Sequence, residues 1–290
     1  VESITESDLR AMHATIFNPA NLIIGVSGDF DEASMMSALE EAVGGWTFGQ
    51  RVGDPPAPNH DPKPGVYHVE KDIPQGRVQI GHRGVTRDDP DAITIDLMND
   101  ILGGGGFTSR ITNKVRSDEG LAYGAGSQFS DRVWYAGTFG AGFQSKSPTV
   151  ALGIKLILDE MERMRTEPVT EKELETSQSS FIETFPPRFE SKGAMVGTFI
   201  DDEMTDRPEG YWQTYRDRVR AVTTDDIQRV AEDYLHPSRA AILVVGKWKD
   251  IYKGDIDGRA SMGDFYGGQV DHMPLLDPMT LEPLPVEIEE

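Results

Sequence analysis

A stretch of 27 residues occurs twice in this chain, and that duplication limits the fold more than any other feature. ITESDLRAMHATIFNPANLIIGVSGDF (residues 4–30) aligns without gaps, at an offset of 218, on VTTDDIQRVAEDYLHPSRAAILVVGKW (residues 222–248), with six identities. The order of physical parts matters more than the identities. Thr5 with Asp8, and Thr223 with Asp226, have the hydroxyl-then-carboxylate spacing that satisfies the first backbone N–H groups of a helix. Each predicted helix then runs to a proline, Pro19 or Pro237, which cannot continue it. An apolar strand follows, over residues 22–26 or 240–245, and closes on Gly28 or Gly246.

One unit repeated near both ends predicts two homologous lobes, the first represented only by its tail. On this reading residues 1–46 are the C-terminal part of a truncated first lobe, 47–65 a linker, 66–250 a complete second lobe and 251–290 a C-terminal extension over the surface or across to the partner lobe. Pro55, Pro56, Pro58, Pro62 and Pro64 make the linker extended and semi-rigid. Within the second lobe, strands are predicted at 66–70 and 77–82, and a helix over 91–102 between Pro90 and Gly103, the usual asymmetry of those two residues. A short helix over 108–115 precedes an antiparallel hairpin of 121–129 and 133–143, the second strand marked by alternating Val133, Tyr135, Gly137, Phe139 and Ala141. Further helices are expected over 147–165, from the capping box at Thr170 and Glu173, and near 188–204, 208–221 and 223–235. Strands towards both ends with helices between them give an α+β lobe, a mostly antiparallel sheet with helices on one face.

Composition narrows the function. The chain of 290 residues is 38% apolar, enough for a folded core, and its net charge of −21 excludes the clustered cationic surface that nucleic acid requires. It has no run of 18 apolar residues to span a membrane. Without cysteine there are no disulfides or thiolate metal sites, and the compartment, bacterial periplasm or cytoplasm, stays open.

The most unusual stretch is GGGGFTSRITNKVRSDEGLAYGAGSQFS, residues 103–130. It lacks the G-K-[ST] ending of a nucleotide-binding loop, so the glycines are read as a turn that lets backbones approach closely. The run L-G-G-G, then F-x-S-R, then V-R-x-x-x-G-L-A-Y resembles the second, inactive domain of the pitrilysin/insulinase-type zinc metallopeptidases, which include mitochondrial processing peptidase. The segments VTEKEL (169–174), FPPRFES (185–191) and AVT (221–223) are similar to the bacterial single-chain branch. The resemblance extends to about residue 250.

That resemblance implies one complete lobe, and a fragment of the other, of a duplicated clamshell closing over a peptide substrate. In such a family the first lobe carries the zinc motif H-x-x-E-H and a more distant Glu. The six histidines here, at 13, 60, 68, 82, 236 and 272, include no such pair, so no metal ligand is expected in this chain. His68 and His82 are expected on neighbouring strands. A gapless match puts Asp96, Asn99 and Asp100 where the active lobe has His, Glu and His, as a solvated helix face. By the repeat offset, the zinc motif is expected about 120 residues upstream of Val1.

By the same resemblance, Arg116 and Tyr123 reach the active-site cavity to bind substrate and stabilise the transition state. A plainer reading stays open for each: Arg116 pairing with Asp118 and Glu119, and Tyr123 lying in the core. Ser109 and Arg110 are read as support for the glycine turn. The implied function is the substrate-clamping, zinc-free half of a zinc metalloendopeptidase, inactive alone, with zinc held by the missing first lobe or by an active partner subunit. The alternatives are an inert binding subunit of such a pair and a scaffold in a respiratory complex.

Overall fold

The computed structural model describes residues 3–288; the first two residues of the first predicted segment and the last two of the C-terminal extension lie outside them. The chain divides into two compact units. One takes in the N-terminal segment to Pro56 together with Ile182–Tyr215, and the other Ala57–Phe181 with the chain from Arg216 onward. In order, the elements are α1 (Glu6–Ile16), α2 (Glu32–Val43), β1 (Gly65–Glu70), β2 (Gln75–Arg83), α3 (Ala92–Asn99), α4 (Arg110–Thr112), β3 (Ala122–Ser130), β4 (Thr138–Lys146), α5 (Val150–Thr166), α6 (Glu171–Glu183), α7 (Lys192–Met204), α8 (Tyr211–Ala221), α9 (Thr224–Tyr234), β5 (Ala241–Gly246), α10 (Trp248–Ile251) and β6 (Val270–Met273).

The larger unit is the α+β architecture expected. Its six strands lie in the order β3-β4-β2-β5-β1-β6. The three pairings on the β3 side are antiparallel, whereas β1 runs parallel to both β5 and β6. Alternation assigns the faces. Val78, Ile80, Phe139, Ala141, Ile242 and Val244 are buried on the face where α5 packs on β2 and β4. α5 buries Val150, Ile154, Ile157, Met161 and Met164 along one stripe, the spacing of a helix laid on a sheet. The outer face of β2 and β4 keeps residues such as Arg77, Gln79 and Gln144 accessible. Two helices end differently from the sequence pattern. α3 stops at Asn99 and continues as a π-helical turn through Gly104, and α4 continues as another through Asp118. The second hairpin strand begins at Thr138 rather than at 133, because β2, its partner, reaches no further than Arg83 opposite Thr138.

The segment after residue 250 joins this unit. Ile251, Met262 and Phe265 are buried, and β6 adds the last strand beside β1. The second half of the proline-rich stretch is also tied down. Arg83 donates to Asp61 and to the His60 carbonyl, and Tyr67 donates to the Lys63 carbonyl.

The repeat is present in detail. α1 and α9 have identical bounds at the offset of 218, as do the short 3-10 turns Pro19–Asn21 and Pro237–Arg239. Both helices begin with a complete capping box, on Thr5 with Asp8 and on Thr223 with Asp226. The surroundings differ sharply. Ile227, Val230 and Leu235 are 0% exposed, whereas their counterparts Leu9, Met12 and Phe17 are 60%, 62% and 59% exposed. β5 lies between β1 and β2, but residues 22–26, predicted as a strand, pair with no strand among the described residues. A strand exists through its neighbours, and this segment has none among the described residues. In the smaller unit the buried described residues are Asn18 and Thr198, both polar.

Because burial of an aliphatic side chain contributes about 1.5–3 kcal/mol, the two copies of one position should respond differently. Ile227→Ala is expected to cost about 2–5 kcal/mol, and Leu9→Ala less than about 0.5 kcal/mol. Urea unfolding of both variants checks this.

Candidate functional site

The glycine run does what its composition suggested. The turn brings Gly103 against edge strand β3, where an added Cβ would lie 2.5 Å from the Ser127 nitrogen. Gly106 has φ of 61°, a conformation that glycine adopts without steric cost. Side chains complete the seam. Asn99 accepts from the Ser127 hydroxyl at 2.7 Å and donates to the Ser127 carbonyl, while the Thr112 hydroxyl donates to the Ala125 carbonyl at 2.8 Å. Edge-strand carbonyls that would otherwise recruit another strand are thereby occupied. Ser109 donates to the Gly106 carbonyl and to Thr112.

This turn carries Phe107, and the π-helical turn after α4 carries Arg116. The Arg116 guanidinium lies between two rings, 4.4 Å from the Phe107 centroid and 4.7 Å from that of Tyr123. The plainer readings of both residues fail. Asp118 faces Lys114 and Glu119 accepts from Arg259, leaving Arg116 with no ion pair among the described residues, and Tyr123 is 88% exposed rather than core. Aromatic rings packed on a guanidinium orient it through cation–π attraction. Phe107, 66% exposed, is the member that spacing alone missed; its signal was an aromatic residue placed directly after a four-glycine run.

Zinc does not fit the described residues. Among the described residues no group of three His, Cys, Asp or Glu side chains converges. His68 and His82 are not on neighbouring strands, since β5 separates β1 from β2. His68 Nε2 donates to the Gly246 carbonyl, so its Nδ1 accepts from His272 Nδ1 at 2.9 Å. His82 Nδ1 donates to the Arg83 carbonyl and its Nε2 accepts from the His236 N–H. Burial pushes His82 down to about 4 and His68 downward, so both are neutral structural groups. The trio Asp96, Asn99 and Asp100 is not a uniformly solvated face, because Asn99 is committed to Ser127. Crowding by protein atoms and then the Asp131 charge push the Asp96 carboxyl upward; the side chain keeps solvent access, so water screens part of that effect.

Arg110 supports the turn from below through a bidentate pair with Glu173, at 2.7 and 3.0 Å. Glu173 also closes the capping box of α6 on Thr170. Burial raises the Glu173 pKa, but the Arg110 and Thr170 hydrogen bonds outweigh it and hold the carboxyl at about 2.

Comparison with known proteins follows this geometry. The profile of the peptidase M16 inactive domain matches residues 3–181, and the chain belongs to that family. It is 24% identical over 259 residues to an uncharacterized zinc protease of Streptomyces coelicolor, covering 86% of this chain and 55% of that one. It is also 24% identical over 230 residues to a non-peptidase homolog of Helicobacter pylori, covering 78% and 52%. The crystal structure of a peptidase M16 inactive domain from Pseudomonas fluorescens superimposes with a TM-score of 0.75 at 24% identity, over 84% of this chain and 57% of that one. The chain spans about half the length of the curated relatives it matches. It is thus a non-catalytic half of a peptidase-like protein, and no helix among the described residues is long and apolar enough to cross a membrane.

The Arg110–Glu173 pair has a defined pH window. A carboxyl lowered from 4.5 to about 2 contributes stability that is present above pH 4.5 and lost as the pH falls towards 2. Glu173→Gln is therefore expected to cost about 1.5–3 kcal/mol at neutral pH and to flatten stability between those two values, as urea midpoints across the range would report.

Proposed function

We propose that this chain is the substrate-clamping, zinc-free half of a zinc metalloendopeptidase acting on peptides and unfolded polypeptides. The observation that carries this reading is the Arg116–Tyr123 pair, with Tyr123 exposed and Arg116, half-buried, held against two rings and free of any ion pair among the described residues. A guanidinium fork donates in-plane hydrogen bonds to a peptide carbonyl. A phenol beside it donates to the oxyanion that forms as water adds to that carbonyl, where charge develops only in the transition state.

The zinc of such an enzyme belongs to a motif H-x-x-E-H in a first lobe, and residues 1–46 are read as that lobe's C-terminal part. Support comes from the repeat: α1 matches α9 in bounds and cap, yet its apolar side chains lack the cover that buries those of α9. Residues 47–65 then link the lobes. The name zinc protease of the Streptomyces coelicolor relative agrees with a metal in the complete protein.

A second reading, an inert subunit that binds peptide beside a separate active peptidase, is favoured by the likeness to the non-peptidase homolog. The two part at the longer polypeptide. The enzyme requires H-x-x-E-H about 120 residues before Val1, one bound zinc and hydrolysis of unstructured peptides. The inert subunit requires no motif and an active neighbour that co-purifies. In the assembled peptidase, Tyr123→Phe is expected to lower turnover by about 10²–10³ with an unchanged unfolding midpoint. Full turnover in that variant removes Tyr123 from the mechanism.

A further inference from the structure

We infer that β6 is an acid-released latch: the imidazole contact that fastens it to β1 survives one added proton but not two, so mild acid frees the strand from the edge of the sheet. β6 is a slight attachment. It has four residues, pairs with β1 on one side only, and leaves Asp271, His272 and Met273 exposed. The chain just before it is anchored by buried Met262 and Phe265 and by the Tyr266 hydroxyl, which donates to the Ala240 carbonyl. Between anchor and strand stand Gly267 and Gly268, with φ of 66° and 75°, a conformation cheap for glycine and suited to a hinge.

The side-chain tie is His68 against His272, register partners in the ladder with Nδ1 to Nδ1 at 2.9 Å. Two nitrogens in hydrogen-bond contact share one proton. His68, 0% exposed, commits its Nε2–H to the Gly246 carbonyl at 2.9 Å, so the shared proton is the one on His272 Nδ1. A first added proton goes to Nε2 of His272 on the exposed edge and leaves the contact intact. The next has only His68 Nδ1 to occupy, where it sets N–H against N–H and charge against charge.

The other groups facing His68 are few. Glu70 of β1 lies 3.6 Å from its Nε2 but already accepts from the Trp248 N–H at 2.9 Å. β5 offers the Gly246 carbonyl, and α10 the Trp248 ring, packed against both imidazoles. Lys247, beside α10, is turned to Asp72. Burial first, and then the His272 charge, hold the His68 pKa below its ordinary 6.5, against the pull of the Gly246 carbonyl and Glu70. Released into water, the ring takes up its proton at about 6.5. The released strand then binds more protons than the docked one, so docking is at full strength above pH 6.5 and weakens as the pH falls below it. What release uncovers is the backbone edge of β1, open to pairing with another strand.

Hydrogen–deuterium exchange of the 290-residue chain between about pH 7.5 and about pH 5, read by mass spectrometry and corrected for the intrinsic pH dependence of exchange, tests this. Protection of residues 270–273 should fall about tenfold across the range, the effect of one proton over about one pH unit, with β4 unchanged. His272→Gln keeps a donor toward His68 Nδ1 and turns its carbonyl to accept once that nitrogen is protonated; it should shrink the loss to about threefold. Because substituting buried His68 risks the fold, its ring is followed in the wild type by nitrogen NMR, where Nδ1 should be unprotonated at neutral pH and titrate below 6.5. Equal protection of β6 at both ends of the range, a loss shared by β4, the same loss in His272→Gln as in wild type, or a His68 ring titrating at or above 6.5 overturns the latch.

Discussion

The contact between the glycine turn and edge strand β3 positions nearly everything of functional interest. Gly103 comes so close to Ser127 that no side chain fits between them. That proximity lets Asn99 and Thr112 reach the strand's carbonyls, and it fixes Phe107 at the head of the turn across from Tyr123 on the strand. Arg116 fills the gap between the rings. The same contact covers Gly126 of β3, where an added Cβ would lie 2.7 Å from the Gly103 carbonyl oxygen. Polar groups on both sides of this backbone seam are satisfied, which holds the turn against the strand.

A second constraint comes from the duplication. One helix-and-strand unit exists twice, once with its partners and once without them, so the chain contains its own control experiment. Around α9 the unit has a sheet and two helices, α3 and α5, to pack against, and its apolar residues are fully enclosed. Around α1 the same pattern stays helical, since the capping box and local propensity are intrinsic to the segment. The strand that follows does not form, since pairing is not intrinsic to a segment. Secondary structure that depends on local contacts forms without such neighbours; structure that depends on non-local contacts does not.

The same distinction explains what could be seen in the sequence. The helices with caps, at Thr5, Thr170 and Thr223, were legible because a cap is written in adjacent residues, and the strands β1, β2 and β5 because alternation marks them. The two π-helical turns were not legible, for they depend on how α3 and α4 settle against β3. The start of β4 was misplaced because Val133 and Tyr135 alternate like a strand but have no partner beyond Arg83. Within the candidate site Arg116 and Tyr123 were indicated by family resemblance, whereas Phe107 required the fold to bring residues 107, 116 and 123 together. The placement of His68 and His82 on neighbouring strands failed because β5 enters between them, and the contact of His68 with His272 spans 204 residues, a separation that no local pattern encodes.

Charge distribution joins these observations. A protein of net charge −21 repels anionic polymers over most of its surface and holds many of its cations in ion pairs: Arg110 with Glu173, Arg163 with Glu160, Arg229 with Asp91 and Arg259 with Glu119. Arg116 and Arg77 depart from that pattern. One is held by aromatic faces instead of a carboxylate, and the other shares a surface concavity with Gln79 and Gln144. A guanidinium paired inside the protein is spent on stability, whereas one held in place without a counter-ion keeps its hydrogen-bonding capacity for something outside the chain. Both flank the glycine-rich end of the sheet, Arg116 beyond strand β3 and Arg77 on β2.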